Sequence, residues 1–389
     1  MHHDPLIFSF FLIFASAAVV ATFALYTRQP LIISYIVIGV VLGPSATGLV
    51  SDTALINSIA KIGIIFLLFL LGLDMQPAKL GNMFLKALFI GIASSVVFFG
   101  VGYAIAMVFG YGHVEGIIIG IAMMFSSTII GIKLLPTTVL HHRHIGELVV
   151  AILLIQDLIA IIVLLVLTGG FLEFSSTSKI LLVLFNLPLL IVFAWLMVRF
   201  VLLRLLEKFD VFHEYIFLLA IGWCLSLAVI SEYAGLSMEI GAFIAGVSIA
   251  TSPISLYIAA NLKPLRDFFL VLFFFSLGAG FDLALLPVVI LPSILMAAII
   301  LGIKPVTFRY LLAGSDEKAR TGWEIGFRLG QISEFSLLIA FIAVAENLIG
   351  NEASHLIQAT AILTFLFSSY LVVFRYPTPI AISEELRRD

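Results

Sequence analysis

The sequence predicts an all-α polytopic membrane protein of about thirteen transmembrane helices, arranged as inverted repeats with crossed, broken helices. Three observations predict this class: the composition, the placing of positive residues, and an internal repeat. Of the 389 residues, 62% are hydrophobic and 11% are charged, and the mean hydropathy is +1.23. Because soluble domains carry about 25% charged residues, we expect this chain to lie in a bilayer and to contact membrane lipid.

Composition also excludes several kinds of site. The single cysteine, Cys224, excludes an intrachain disulfide and a cysteine-based metal cluster. The sequence has no basic run and no basic stripe with interleaved aromatics, so we expect no nucleic-acid partner. The first residues, Met1–Pro5, lack the basic region of a signal peptide, so the first span is expected to be retained.

Thirteen stretches have roughly the length of 20 mostly apolar residues that a spanning helix needs. They lie near residues 6–26, 30–49, 55–73, 85–109, 114–138, 145–168, 180–203, 212–232, 236–252, 267–283, 286–312, 321–345 and 354–374.

Positive residues concentrate in alternate loops between these spans. The odd-numbered loops and the C-terminal tail hold Arg28, Lys79, Lys86, Arg143, Arg199, Arg204, Lys208, Lys263, Arg266, Arg309, Lys318, Arg320, Arg375, Arg387 and Arg388. The even-numbered side holds only Lys61 and Lys179. Because Lys and Arg mark the cytoplasmic side, we expect the N-terminus outside and the C-terminus inside. Twelve or fourteen spans would spoil this alternation.

An internal repeat joins the two halves of the chain. Ile33–Gly39 resembles Ile240–Gly246, Phe66–Asp74 resembles Phe274–Asp282, and Gly116, Gly120 and Ser127 match Gly322, Gly326 and Ser333. The matched segments lie seven spans apart, an odd number, so the two copies run in opposite directions. Inverted repeats are typical of secondary transporters, whose site lies where broken helices meet. We therefore expect one transmembrane domain over residues 1–374, with repeats near 6–168 and 212–374 linked by a helix at 180–203, and a cytoplasmic tail at 375–389.

The sixth span carries a carboxylate near its middle. The stretch Ala151–Val166 is apolar except for Gln156 and Asp157. A carboxylate at this depth costs roughly 2.5–3.5 kcal/mol on insertion scales, and such groups usually face a cavity or a polar partner. Asp157 is therefore a candidate functional residue; the alternative is a structural carboxyl that hydrogen-bonds a neighbouring helix.

Two spans contain polar residues where a helix could be interrupted. The fifth contains Ser126, Ser127 and Thr128, and the twelfth contains Gln331, Ser333 and Glu334. Such side chains can satisfy backbone groups that unwinding frees. The alternative is that the hydroxyls bond to the preceding turn and allow close packing. The matching positions of the two polar segments in the repeat favour interruption.

Further ionisable residues lie within spans. Lys304 is expected to balance charge near the site, or else to pair with a carbonyl or with Glu334. Arg328 and Glu334 are expected to be mainly structural.

These residues resemble a known family over most of the chain. The chain resembles the membrane domain of Kef-type potassium efflux transporters, in the cation:proton antiporter-2 superfamily. The resemblance rests on Gly39–Pro44, Leu70–Asp74, Ser126–Thr128, Ala151–Asp157, Gly235–Gly246 and Gly330–Phe335. The pair Gln156-Asp157 looks like the potassium branch, whereas sodium-selective relatives tend to carry Asp-Asp or Asn-Asp.

The resemblance implies a sodium/proton antiporter-like fold and a homodimer with a scaffold domain and a moving core domain. The core would hold spans four to six and eleven to thirteen. Asp157 would carry a proton and an alkali cation alternately, with Gln156, Ser127 and Thr128 as neighbouring ligands. Lys304 matches a basic position of the family. No enzyme activity and no cofactor are implied, and the place of action would be the cell membrane.

The chain departs from Kef systems in one respect. Those systems usually continue into a cytosolic nucleotide-binding domain that senses glutathione conjugates, and the present sequence contains no Gly-x-Gly-x-x-Gly strand–helix unit. Regulation by nucleotide or glutathione is therefore not carried over, and a regulatory domain or subunit would lie outside this chain.

One carboxylate can be neutralised either by a proton or by one monovalent cation, because both compete for the same charge. Exchange through Asp157 would then be electroneutral, one K⁺ for one H⁺. Three alternatives stay open: sodium/proton exchange on the same scaffold, a gated cation channel, and a membrane sensor or scaffold with a structural Asp157. The inverted repeat favours a transporter over a channel.

Overall fold

The computed structural model describes residues 5–27, 29–50, 53–74, 84–133, 144–168, 177–209, 212–250, 252, 254–315 and 317–378. Structural statements below concern these residues. Arg28, Lys79 and Arg143 of the positive loops, residues 134–138 of the fifth span and residues 379–389 of the tail lie outside them.

Helices make up nearly all of the described chain. They are α1 (Pro5–Tyr26), α2 (Leu31–Leu42), α3 (Thr53–Asp74), α4 (Phe84–Val108), α5 (His113–Met124), α6 (Thr128–Lys133), α7 (His144–Thr168), α8 (Thr177–Met197), α9 (Leu203–Lys208), α10 (His213–Tyr233), α11 (Met238–Ala250), α12 (Ile254–Ala279), α13 (Leu286–Ala313), α14 (Ala319–Arg328), α15 (Glu334–Ala345) and α16 (Asn351–Arg375). A π-helical segment, Val198–Leu202, joins α8 to α9, and a 3₁₀ turn, Leu283–Leu285, precedes α13.

The described helices are consistent with thirteen spans. This count treats three consecutive pairs as one span each: α5 with α6, α8 with α9, and α14 with α15. Seven of them are long and apolar enough to cross a membrane, and five shorter apolar helices accompany these in the described ranges. The predicted all-helical membrane fold is therefore confirmed, while the number of spans stays a prediction.

Two predicted boundaries are wrong. The second span, predicted at 30–49, ends as α2 at Leu42, because Gly43 and then Pro44 follow and Pro lacks the N–H that a helix needs. The tenth, predicted at 267–283, is α12, which begins at Ile254. Lys263 and Arg266, assigned to a loop, lie inside this helix. Lys263 is exposed and Arg266 is partly exposed, so the low local hydropathy reflects polar positions on a continuous helix and not the start of a new one.

Internal contacts divide the chain into two compact units. The first comprises residues 1–49, 80–163 and 277–389, and the second comprises residues 50–79 and 164–276. The first unit contains helices from all six spans that the resemblance assigns to the core domain, and also α1 and α2. It has a hydrophobic core around Ile90, Ile152 and Phe308, and the second unit has its own core around Phe69, Leu227 and Ile249.

Both units contain helices whose backbones approach very closely, and one pair in each is related by the sequence repeat. In the second unit α3 meets α11 at Gly72 and Gly246, where a Cβ on Gly246 would lie 2.1 Å from the Phe69 carbonyl oxygen. In the first unit a Cβ on Gly278, near the end of α12, would lie 2.1 Å from the Ile36 carbonyl oxygen of α2. Small residues permit such approach. The predicted repeat relates these two pairs to each other, since it matches the second span with the ninth and the third with the tenth.

Candidate cation and proton site

The first interruption predicted from the sequence is present. Helix α5 ends at Met124 and α6 begins at Thr128, so Phe125, Ser126 and Ser127 are not helical. The Ser127 Oγ accepts the Ile130 N–H at 3.1 Å, which is an N-cap bond. The Gln156 Oε1 accepts the Ser126 N–H at 3.0 Å. Side chains therefore bind backbone groups that the interruption frees, as apolar surroundings require.

The second interruption is also confirmed. Helix α14 ends at Arg328 and α15 begins at Glu334. The Ser333 Oγ accepts the Phe335 N–H at 3.1 Å, again as an N-cap. The Thr364 Oγ1 of α16 accepts the Ile332 N–H at 3.3 Å. The two capping serines, Ser127 and Ser333, are the residues that the sequence repeat matched.

The two interrupted segments contact each other directly. The Ser126 Oγ donates to the Leu329 carbonyl oxygen at 2.9 Å, and the Gln331 Nε2 lies 3.5 Å from the Ser127 carbonyl oxygen. The Ser336 Oγ, in the first turn of α15, donates to the Ala122 carbonyl oxygen. The segments thus form a crossing that hydrogen bonds hold together.

Lys304 of α13 binds both segments at the crossing. Its side chain is 0% exposed, and its Nζ donates to the Phe125 carbonyl oxygen at 2.6 Å, the Gln331 carbonyl oxygen at 2.9 Å and the Ser126 Oγ at 3.2 Å. An ammonium has three donors, and all are used. Within the described residues Lys304 makes no ion pair, so the carbonyl-binding alternative describes its contacts. The ring of Phe98 lies 5.1 Å from its Nζ.

Asp157 of α7 lies beside the first interruption. It is 2% exposed, and the Thr128 Oγ1 lies 3.1 Å from each of its carboxylate oxygens. One hydroxyl hydrogen can bond only one of these oxygens at a time. No positively charged side chain is paired with Asp157 in the described ranges. An unpaired buried carboxylate is costly, so this group requires a proton or a cation.

Glu334 is a second carboxylate at the crossing. It is half-buried at the start of α15. The Ser333 Oγ lies 3.5 Å from the Glu334 Oε2. Its mainly structural role stays a prediction.

Gln156 binds the backbone of the first interruption. Its Oε1 accepts the Ser126 N–H, while its buried Nε2 has no partner within the described residues. An amide oxygen has two acceptor positions, so the ligand role that the resemblance implies for Gln156 stays a prediction.

Arg328 has the contacts of a structural residue. Its guanidinium is buried, pairs with Glu324 at 2.8 Å and donates to the Pro377 carbonyl oxygen at 2.9 Å. It therefore ties the end of α14 to the segment that follows α16. The ring of Tyr376 lies 5.7 Å from its Cζ, and burial raises the pKa of that phenol.

Three residues at the crossing were not predicted from the sequence: Phe98, Thr364 and Ser368. The Ser368 Oγ donates to the Gln331 Oε1 at 2.7 Å, so α16 binds both the backbone and a side chain of the second interruption. A signal was available, because Thr360, Thr364 and Ser368 are spaced by four residues and therefore share one face of an otherwise apolar helix.

Known proteins similar to this chain include three curated relatives from bacteria and a plant. Iron transporter MagA of Paramagnetospirillum magneticum is 29% identical over 95% of this chain and 85% of its own length. K(+) efflux antiporter 4 of Arabidopsis thaliana is 30% identical over 90% of this chain, which spans only 59% of that relative. Putative cation/proton antiporter YbaL of Escherichia coli is 29% identical over 95% of this chain and 69% of its own length.

A solved structure shares the fold. It is the sodium proton antiporter MjNhaP1 from Methanocaldococcus jannaschii at pH 8, with a TM-score of 0.69 at 18% identity, covering 94% of this chain and 96% of that one. The model of the family described as sodium/hydrogen exchanger, transmembrane, matches residues 12–374. The chain therefore belongs to the transmembrane sodium/hydrogen exchanger family and is a multi-pass cation:proton antiporter membrane domain.

Proposed function

We propose that this domain exchanges K⁺ for H⁺ by alternating access, with Asp157 as the shared site. The observation that carries the proposal is the state of Asp157: buried, with a single hydroxyl partner and no paired cation in the described ranges. Lys304 makes no ion pair with Asp157 in the described ranges, and its three ammonium donors are used on the two interruptions.

Exchange follows if Asp157 can switch between the two sides of the membrane only when its charge is neutralised. A proton or a cation can neutralise Asp157, and each excludes the other from the same oxygens. One carboxylate binding one monovalent ion makes the exchange electroneutral. Thr128 is the proposed neighbouring ligand, since its hydroxyl already faces both carboxylate oxygens. Ser127 and Gln156 are the other proposed ligands, since each side-chain oxygen accepts one backbone N–H and keeps a second acceptor position.

Support for K⁺ comes from the relatives and from the pair Gln156-Asp157. Three Arabidopsis thaliana relatives at 28–30% identity are named K(+) efflux antiporters, and the chain spans 58–61% of their lengths. Sodium/proton exchange is the second candidate, favoured by the fold shared with a sodium proton antiporter. Membership in an exchanger family argues against a gated channel.

We also propose a homodimer in the cell membrane, with the N-terminus outside and the C-terminus cytoplasmic. The alternation of Lys and Arg supports the orientation, and the resemblance supports the dimer. A monomeric mass both in mild detergent and in lipid nanodiscs would contradict the dimer.

The decisive experiment measures cation-driven proton movement in proteoliposomes, with K⁺ and Na⁺ compared. Asp157→Asn keeps the size and polarity but removes the charge, so exchange should be lost while the protein stays folded. Asp267→Asn is the control, because Asp267 is an exposed carboxylate paired with its neighbour Arg266. Exchange that survives Asp157→Asn unchanged would end the proposal, and flux with Na⁺ but not K⁺ would replace it by the second candidate.

A further inference from the structure

The last described helix, α16, presents buried hydroxyl groups to the second interruption. Thr364 is 0% exposed and Ser368 is 1% exposed. Thr364 accepts the Ile332 N–H and donates to the Ala361 carbonyl oxygen of its own helix. Ser368 instead donates away from its helix, to the Gln331 side chain.

Two contacts hold the Gln331 amide in one orientation. The Ser127 carbonyl oxygen can only accept, so it faces the Gln331 Nε2, 3.5 Å away. The Gln331 Oε1 then accepts the Ser368 hydroxyl at 2.7 Å. The Ser127 carbonyl also accepts the Gly131 N–H at 3.0 Å in the first turn of α6, and a carbonyl oxygen has two acceptor positions.

The chain of contacts ends at the site. Ser127 precedes Thr128, whose hydroxyl bonds Asp157. The Gln331 carbonyl oxygen is also held by Lys304. The side chain and the backbone of Gln331 therefore connect α16, the first interruption and the buried ammonium.

We propose that Ser368 is a positioning residue for cation binding, which acts through Gln331 on the placement of Ser127 and Thr128 beside Asp157. The proposal rests on the function proposed above. Ser368 does not touch the ion; it sets the geometry of the groups that do. Its removal should therefore weaken cation binding more than it slows turnover.

A matched control lies at the next position of the same helix. Ser369 is also 1% exposed, but its Oγ donates to the Phe365 carbonyl oxygen at 2.8 Å, within α16 itself. Ser368→Ala and Ser369→Ala remove the same atom at equal burial, and only the first breaks a bond to the crossing. Ser368→Thr keeps the hydroxyl and serves as the conservative rescue variant.

The test measures the apparent KM for the transported cation and the maximal rate in proteoliposomes at fixed pH. Ser368→Ala should raise the apparent KM about fivefold, the size expected for one buried hydrogen bond, with the maximal rate within about twofold. Ser368→Thr and Ser369→Ala should stay within about twofold of the unmodified protein in both quantities. In a Gln331→Leu background, Ser368→Ala should have no further effect on KM, because the two residues act through one contact.

Equal KM values for Ser368→Ala and Ser369→Ala would overturn the proposal. It would also be overturned if Ser368→Ala raised the KM as much in the Gln331→Leu background as in the unmodified protein. If Ser368→Ala fails to fold, Ser368→Cys replaces it, because a thiol has similar size and is a weaker donor; an unchanged KM there would overturn the proposal equally. Asp157→Asn is measured alongside. If exchange survives Asp157→Asn, the proposed function has failed. If Asp157→Asn abolishes exchange but Ser368→Ala leaves the KM unchanged, only the positioning role of Ser368 has failed.

Discussion

At the scale of single residues, the crossing contains one buried ammonium and one buried carboxylate that do not pair with each other. The Lys304 ammonium donates to carbonyl and hydroxyl oxygens, whereas the Asp157 carboxylate has one hydroxyl partner and no ion pair in the described ranges. A buried ion pair would need both groups in excellent mutual geometry. In the proposed exchange, this separation leaves the Asp157 carboxylate available to a proton or a cation.

Lys304→Met should destabilise the folded protein, because it leaves the carbonyl oxygens of Phe125 and Gln331 without this donor. Each unsatisfied buried acceptor costs about 1–3 kcal/mol. We expect a lower apparent melting temperature in detergent and reduced exchange. Lys263→Met is the control, since Lys263 is exposed on α12. An equal, small change for both variants would contradict a role for Lys304 in joining the two interruptions.

Gln156 gives a second prediction at this scale. Gln156→Leu removes the acceptor of the Ser126 N–H and should destabilise the protein by about 1–3 kcal/mol, the cost of a buried unsatisfied donor. Thr360→Val is the control, because the buried Thr360 Oγ1 has no hydrogen-bond partner within the described residues. The two variants are compared by thermal unfolding in the same detergent. A melting temperature for Gln156→Leu at or above that of Thr360→Val would show that the backbone bond contributes little to stability.

At the scale of elements, both units contain helices that touch backbone to backbone at glycines. Gly246 of α11 lies against α3, and an added methyl group would meet the Phe69 carbonyl oxygen and Gly72. Backbone cannot move aside as a flexible side chain can, so the helices would have to separate.

Gly246→Ala should therefore destabilise the second unit by about 1–3 kcal/mol, the usual cost of overpacking. Gly222→Ala in α10 is the control, because nothing lies within 4 Å of a Cβ added there. Alanine favours helix over glycine, so this control should be neutral or stabilising. Apparent melting temperatures of the two variants provide the measurement, and a melting temperature for Gly246→Ala at or above that of the control would rule out close packing at this point.

The elements also show how far sequence reasoning reaches here. The interruptions, their capping serines and the Asp157–Thr128 proximity could be predicted, because Ser127 and Ser333 occupy matching positions in the repeat and polar residues in apolar spans are conspicuous. The partner of Ser368 could not be predicted, since Gln331 lies 37 residues away in the sequence. Helix periodicity shows which residues share a face, but not which residues that face contacts. The start of α12 was missed because charged residues lowered the hydropathy of a continuous helix.

At the scale of the whole molecule, the number of spans between two positions decides whether they lie on the same side of the membrane. Tyr233 ends α10, in the eighth span, and Lys318 precedes α14, in the twelfth. Three predicted spans separate the two positions, so an odd count places them on opposite sides of the membrane. The Lys and Arg distribution assigns Lys318 to the cytoplasm and Tyr233 to the outside.

Introduced cysteines can test this arrangement. Cys224 is buried and free, so Cys224→Ala provides a background without thiols, and Tyr233, at 89% exposure, tolerates labelling chemistry. In intact cells an impermeant thiol reagent should label Tyr233→Cys directly and Lys318→Cys only after permeabilisation. Labelling of both from outside would mean that the count of spans between them is wrong, and the reverse pattern would mean that the count holds while the orientation is inverted.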